Sequence, residues 1–162
     1  MVPLELVGVR VEVPANTPMV LLREQTERQR LLPIYIGTPE ATSIHYALEG
    51  VTPPRPLTHD LFLQVLTALG VTLEHVVVTE MREHTYYAEL HLRRPAGELT
   101  VMSSRPSDAI ALAVRCAAPL FASEELLDEV GQEPPQEPEE EAEEIIDEFV
   151  DFIEHVNPDD FR

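Results

Sequence analysis

The chain contains no lysine; all eleven of its basic residues are arginine. It has one cysteine, Cys116, so no disulfide can close within the chain. A lone thiol inside an apolar stretch is expected to be a small core residue in a reducing compartment. No apolar run approaches the ~20 residues a membrane-spanning helix needs. The opening Met1-Val2-Pro3-Leu4-Glu5 lacks the basic-then-apolar order of a secretory leader. These absences make the cytoplasm the expected compartment. No glycine-rich phosphate loop is present, and the histidines show none of the short ligand spacings of a zinc site. Nucleotide hydrolysis of the phosphate-loop type and zinc chemistry are therefore not expected.

What the chain has in excess is negative charge: −19 over 162 residues. The excess is unevenly spread. Up to Gly131 there are ten arginines against seventeen acids, and beyond it one arginine against thirteen. A strongly acidic chain repels polyphosphate at long range, which argues against broad, sequence-independent nucleic-acid binding and leaves room for a small local site.

Hydrophobic periodicity supplies the elements. Leu4 to Val13 reads as a strand with Val7, Val9, Val11 and Val13 on one face and a bulge expected at Gly8. Met19 to Arg23 and Leu31 to Ile36 follow as strands. A helix then starts at Thr38-Pro39-Glu40, with Thr38 as its cap, and runs to Gly50. Its apolar stripe is Ala41, Ile44, Ala47 and Leu48, with His45 half-buried. After a proline-stiffened segment, a second helix starts behind Thr58, again as cap, and offers Leu61, Phe62, Val65, Leu66 and Leu69 as its buried stripe. Strands are expected at Val71 to Met81, Thr85 to Leu92 and Glu98 to Met102. A short helix from Ser123 to Val130 closes the domain at Gly131. Three strands and a helix thus occur twice. That arrangement implies an α+β fold, a largely antiparallel sheet with its helices gathered on one side.

The third helix organises the rest. Ser103-Ser104-Arg105-Pro106-Ser107-Asp108 opens it, and Ala109 to Ala118 carries one charge, Arg115. A helix apolar all round belongs in the core. Pro106 suits its first turn, and Ser104, Ser107 and Asp108 can accept from its free N–H groups. Such a mouth, polar and bearing Arg105 and Asp108, can also hold an anion.

Several blocks in order resemble the bifunctional nuclease family. They are Leu32-Pro33-Ile34-Tyr35-Ile36-Gly37, Glu40-Ala41, Ala47-Leu48-Glu49-Gly50, Pro54-Arg55-Pro56-Leu57-Thr58-His59-Asp60-Leu61, Tyr87-Ala88, and Ser104-Arg105-Pro106-Ser107-Asp108-Ala109-Ile110-Ala111-Leu112-Ala113. The resemblance spans residues 1–131. It implies a compact domain, usually self-associated and expected here as a homodimer, with nuclease activity on DNA and RNA. Members typically carry an acid before Ser-Arg-Pro-Ser-Asp, where this chain has Ser103. Metal-assisted phosphodiester hydrolysis needs carboxylates for Mg²⁺ or Mn²⁺ and a group to activate water. Within the resembling blocks the candidates are His59, Asp60, Arg105 and Asp108 for catalysis, with Asp108 and Glu40 for the metal. Tyr86 and Tyr87 could stack bases, but without a basic patch beside them packing is the expected role. No organic cofactor is expected. The alternative is a non-enzymatic regulatory or interaction module on the same fold, which the acidic balance and Ser103 favour.

Beyond the domain, residues 132–144 read as a disordered Pro/Glu linker and 145–162 as an acidic tail. Ile145, Phe149, Phe152, Ile153 and Val156 share one helical face. A helix there is expected to dock on its own domain or on a protein partner, where its acids could mimic nucleic acid and inhibit.

Overall fold

The computed structural model describes residues 1–135. The expected tail helix and all of the linker from residue 136 onward lie outside the described residues. Strands β1 (Val2–Glu12), β2 (Thr17–Glu24) and β3 (Leu31–Tyr35) form an antiparallel meander, followed by helices α1 (Thr38–Leu48) and α2 (Thr58–Ala68). A second meander, β4 (Thr72–Arg82), β5 (Thr85–Arg93) and β6 (Leu99–Ser104), leads into α3 (Pro106–Cys116). The last described elements are β7 (Leu120–Ala122) and α4 (Glu124–Val130). Among the described residues, seven strands form one sheet in the order β3-β2-β1-β7-β4-β5-β6. All pairings are antiparallel except β4 with β7. The expected α+β fold, with a strand-strand-strand-helix unit used twice, is what the chain adopts.

β7 is the element that sequence periodicity misses. It is three residues long, too short for an alternation to register, yet it joins the two meanders. The bulge expected at Gly8 is present: Leu6 pairs with Leu22 and Gly8 with Leu21, leaving Val7 unpaired and turning it outward. Val9 and Val11 therefore share a face that Val7 does not.

One side of the sheet is covered. Val2, Leu4, Val20, Leu22, Leu32, Ile34 and Val78 pack against Ile44 of α1, Ile110 and Ala111 of α3, and Leu126 and Leu127 of α4. Leu73, Val76, Ala88, Leu90 and Leu92 pack against Ala109, Leu112 and Ala113, with Leu63 and Leu66 of α2 at the margin. α3 thus enters both clusters, as a helix so nearly free of charge must. Its burial ends at Ala113. The last turn emerges from the core, so Cys116 is exposed and not the core thiol expected.

α2 differs more. None of its residues is buried, and Leu61, Phe62, Val65 and Leu69 of the expected stripe are exposed. The inward side instead carries His59, Asp60, Leu63 and Leu66. His59 and Asp60 are bound by side chains of α1 and α3, and these polar anchors, not the apolar stripe, set the rotation of the helix. On α1, His45 is exposed, and Ser43 and Ile44 face inward.

At the β3 edge, Arg30 is 2% exposed. Its Nε donates to Glu24 Oε2 (2.6 Å), its Nη2 to Glu24 Oε1 (3.1 Å) and Glu124 Oε1 (2.8 Å), and its Nη1 to Asp128 Oδ1 (2.7 Å). The hydrogen bonds from Arg30 outweigh burial and hold the Glu24 carboxyl at about 2. α4 is thereby bolted to the first meander. Ser123 fixes the other end of α4: its Oγ accepts from Leu126 N–H (3.2 Å) and donates to Thr79 C=O (2.6 Å). Gln132, at the start of the expected linker, exchanges two backbone hydrogen bonds with Leu31 (2.7 and 2.8 Å).

Candidate active site

Three helices converge where α1, α2 and α3 begin, and the side chains there form one chain of hydrogen bonds. Neither α1 nor α3 has a side-chain cap: Gly37 and Arg105 occupy the cap positions, and Thr38 is already helical. At α2 the cap position is Leu57, and Asp60 reaches back from the third helical position so that its Oδ2 accepts from Leu57 N–H (2.9 Å). The capping roles assigned to Thr38, Thr58 and Asp108 are therefore not used. Ser104 Oγ donates instead to Arg105 C=O (2.9 Å). Released from capping, Asp108 turns toward α2 and Arg105.

Asp108 Oδ1 pairs with His59 Nε2 at 2.9 Å and accepts from Arg105 Nη2 at 3.1 Å, while Oδ2 accepts from Arg105 Nε at 2.8 Å. Arg105 Nη2 also donates to Glu40 Oε1 at 2.9 Å. Burial works to raise the Asp108 carboxyl, but the hydrogen bonds from Arg105 and His59 outweigh it and hold the group below its ordinary value. Asp108 is therefore an ionised carboxylate at neutral pH. Glu40 folds over the start of α1 because Gly37 has no side chain; a Cβ there would collide with the Glu40 carboxylate.

On the other side of the imidazole, His59 Nδ1 lies 2.7 Å from Ser43 Oγ. Ser43 is bound in turn by Arg115, whose Nη2 donates to Ser43 Oγ (2.9 Å) and Ser43 C=O (3.0 Å). Arg115 Nε donates to Asp60 Oδ1 (2.8 Å) and Nη1 to Ala111 C=O (2.8 Å). The Arg115 guanidinium, with the Leu57 N–H, holds the Asp60 carboxyl below its ordinary value. Of the residues expected from sequence, Glu40, His59, Arg105 and Asp108 thus come together, and Asp60 stands behind them as the carboxylate that holds Arg115.

Sequence reasoning missed Ser43 and Arg115 as site residues. A signal for Arg115 existed: it is the one charge in the apolar run, and at seven residues beyond Asp108 it shares a helix face with it. Ser43 is a polar residue one position from the apolar stripe of α1, which is a weak signal.

A cleft of about 530 Å³ opens on this network, lined by Glu40, Ser43, Leu57, His59, Arg105 and Asp108 among others. A second, of about 340 Å³, lies across Arg105 and is lined by Tyr35, Gly37, His84, Tyr86 and Ser107. Arg105 stands between them, 65% exposed. Tyr87 lies apart, under the Arg82 guanidinium at 4.1 Å. His75 and His91 stack on each other (4.2 Å) and bear no relation to the cleft.

Glu40 and Asp108 fit a divalent cation poorly. The position they share is held by Arg105, and among the described residues no three His, Cys, Asp or Glu side chains converge as metal ligands. Ser103 sits opposite Glu89 in the β5–β6 ladder, whose neighbours Ala88 and Leu90 face the core. Position 103 therefore lies on the uncovered side of the sheet, and a serine there removes no ligand from the Asp108 network.

The molecule is thus an α+β domain that gathers His59, Asp108, Arg105 and Glu40 at the starts of three helices. The profile of the Bifunctional nuclease domain matches residues 20–135. The chain belongs to that family. An uncharacterized protein of Mycobacterium tuberculosis (strain ATCC 25618 / H37Rv) is 41% identical, the match covering 97% of this chain and 96% of the relative. Bifunctional nuclease 1 of Oryza sativa subsp. indica is 29% identical over 62% of this chain and 31% of its own length. Bifunctional nuclease 1 of Arabidopsis thaliana is 29% identical over 69% of this chain and 35% of its own length. The chain spans about a third of the length of these plant relatives. Among the described residues, no helix is long and apolar enough to cross a membrane.

Proposed function

We propose that this protein is a nuclease that cleaves phosphodiester bonds of DNA or RNA at the cleft between α1, α2 and α3. The observation that carries the reading is the ionised Asp108, held between the imidazole of His59 and the exposed guanidinium of Arg105 on the wall of a cleft. Phosphoryl transfer needs a positioned proton acceptor and a cation facing the phosphate oxygens, and these residues supply both types. The family assignment and the plant relatives support the same chemistry. Arg105 gives a strongly acidic protein one local point of attraction for a phosphate, consistent with a small site and not a broad basic surface.

The purified protein should cut labelled single-stranded DNA or RNA, and inertness toward both would end the reading. Cutting should persist in EDTA, because Arg105 holds the place a cation would take. Loss of cutting in EDTA, restored by Mg²⁺ or Mn²⁺, would instead support the divalent-metal assistance that the resemblance implies.

A second reading, an interaction module, is favoured by the outward apolar face of α2. Leu61, Phe62, Val65 and Leu69 offer a contact for a second copy of the chain or for the apolar stripe of residues 145–156. Light scattering and amide hydrogen exchange on the full chain and on a chain ending at residue 135 test both. A dimer in each indicates a second copy on α2, and a dimer or altered α2 protection in the full chain alone indicates the tail.

A further inference from the structure

We propose that Ser43 is a nucleophile, and that Ser43, His59 and Asp108 form a serine–histidine–aspartate relay that attacks phosphorus in this cleft. The proposal deepens the phosphodiesterase reading of the site and rests on it for its natural substrate, though not for its chemistry. Three observations carry it.

The first is the direction of the hydrogen bonds. Arg115 Nη2 can only donate, so Ser43 Oγ accepts from it at 2.9 Å. The Ser43 proton is then free to point at His59 Nδ1, 2.7 Å away. With Nδ1 accepting, the imidazole carries its own proton on Nε2 and donates it to the ionised Asp108 Oδ1 at 2.9 Å. The order is serine to base to carboxylate. The ring is turned so that Nδ1 faces the serine, and such a relay is recognised by geometry and roles, not by position in the chain.

The second is that if His59 is the base, Ser43 is its immediate proton source. Nε2 is committed to Asp108, and the free lone pair lies behind the serine hydroxyl. A proton leaving the cleft for His59 therefore passes through Ser43. The third is the charge around Oγ. Arg115, 9% exposed and fixed by Asp60 and Ala111, presents a guanidinium directly to the oxygen that must develop negative charge. Ser43 is 6% exposed, lines the cleft and is held by the helix rather than by a loop. Arg105 Nη1 makes no hydrogen bond among the described residues, so it is a donor left over for the phosphoryl oxygens.

The steps balance without a further reactant besides water. Ser43 Oγ forms a bond to phosphorus as its proton passes to His59 Nδ1, giving an imidazolium paired with Asp108. The P–O bond to one ester group breaks, and the departing alkoxide takes the proton from Nδ1 to leave as an alcohol. Water then attacks the seryl phosphodiester, its proton goes to Nδ1, and the P–Oγ bond breaks with return of that proton to Ser43. The product is a phosphate monoester.

A fluorophosphonate ester tests this on the full chain without any nucleic acid. Attack by Oγ expels fluoride and leaves one phosphonyl group per chain, mapped to Ser43 by peptide mass. His59→Gln and Asp108→Asn should each slow the labelling at least ~100-fold with Ser43 still present, the scale of a general base and its partner. Either variant suffices if the other fails to fold. No adduct at Ser43 under conditions that saturate a control serine hydrolase would overturn the proposal, as would equal labelling rates in folded His59→Gln. An adduct at Ser43 in a protein that cuts no oligonucleotide would leave the relay standing and remove the nuclease reading. Cutting unimpaired in Ser43→Ala would do the reverse.

Discussion

Arg30 and Arg105 each bind carboxylates from more than one element, yet Arg30 is 2% exposed and Arg105 is 65% exposed. Around Arg30 the carboxylates are Glu24, Glu124 and Asp128, and among the described residues Arg30 lines none of the clefts at the helix starts. Around Arg105 they are Glu40 and Asp108, with a cleft on either side. The same pair of functional groups thus serves as a bolt in one place and as a wall of a cleft in the other. Exposure, rather than the number of ion pairs, separates the two. A buried pair left without its partner strands a charge, whereas an exposed one is screened and rehydrated.

The two arginine networks should differ most in their effect on activity. Asp108→Asn keeps the shape of the side chain and removes the charge, and should lower cleavage by roughly 100- to 10,000-fold while the protein still melts cooperatively. Retained cleavage in a folded Asp108→Asn would remove the distinction, because both networks would then be structural. Next in size is stability. Arg30→Met leaves Glu24 buried without its guanidinium and should cost about 3 kcal/mol or more in urea unfolding. Arg105→Met should cost less than about 1 kcal/mol in the same experiment. Equal losses would mean that exposure is not what separates the networks. Acid sharpens the contrast on a smaller scale. Glu24 is held at about 2 against an ordinary value of 4.5, so its contribution is present above 4.5 and is lost as pH falls through about 2. Arg30→Met should flatten the stability curve across that interval, and Arg105→Met should leave its slope there largely unchanged, as read by thermal melts at successive pH values.

Much of the fold was legible because it rests on periodicity and punctuation. Alternation marked six strands, Pro106 and Pro39 marked helix starts, and Gly8 marked the bulge. Where reading failed, a longer-range contact had overridden the local signal. Leu61, Phe62 and Val65 make a strong stripe on α2, but His59 and Asp60 are claimed by Ser43, Asp108 and Arg115 from other helices, and the helix turns to satisfy them. Burying a polar group without its partner costs more than exposing an apolar one. The site was half legible for the same reason. His59, Arg105 and Asp108 stand out as polar residues at helix starts, whereas Ser43 matters only through the partners that the fold brings to it.

The short strand β7 governs when the sheet can close during synthesis. Strands β1 and β4 do not pair with each other; each pairs with three residues of β7, which lies late in the domain at Leu120–Ala122. During synthesis the first meander can close long before the second exists, and neither can join the other's ladder until Ala122 has left the ribosome. The two halves must wait side by side with open edges, and an open edge is a template for pairing with a neighbouring chain. Among the described residues, β7 is the last strand to emerge and the one that turns two sticky ribbons into a single sheet, and α4 with its Arg30 bolt follows at once to lock it shut.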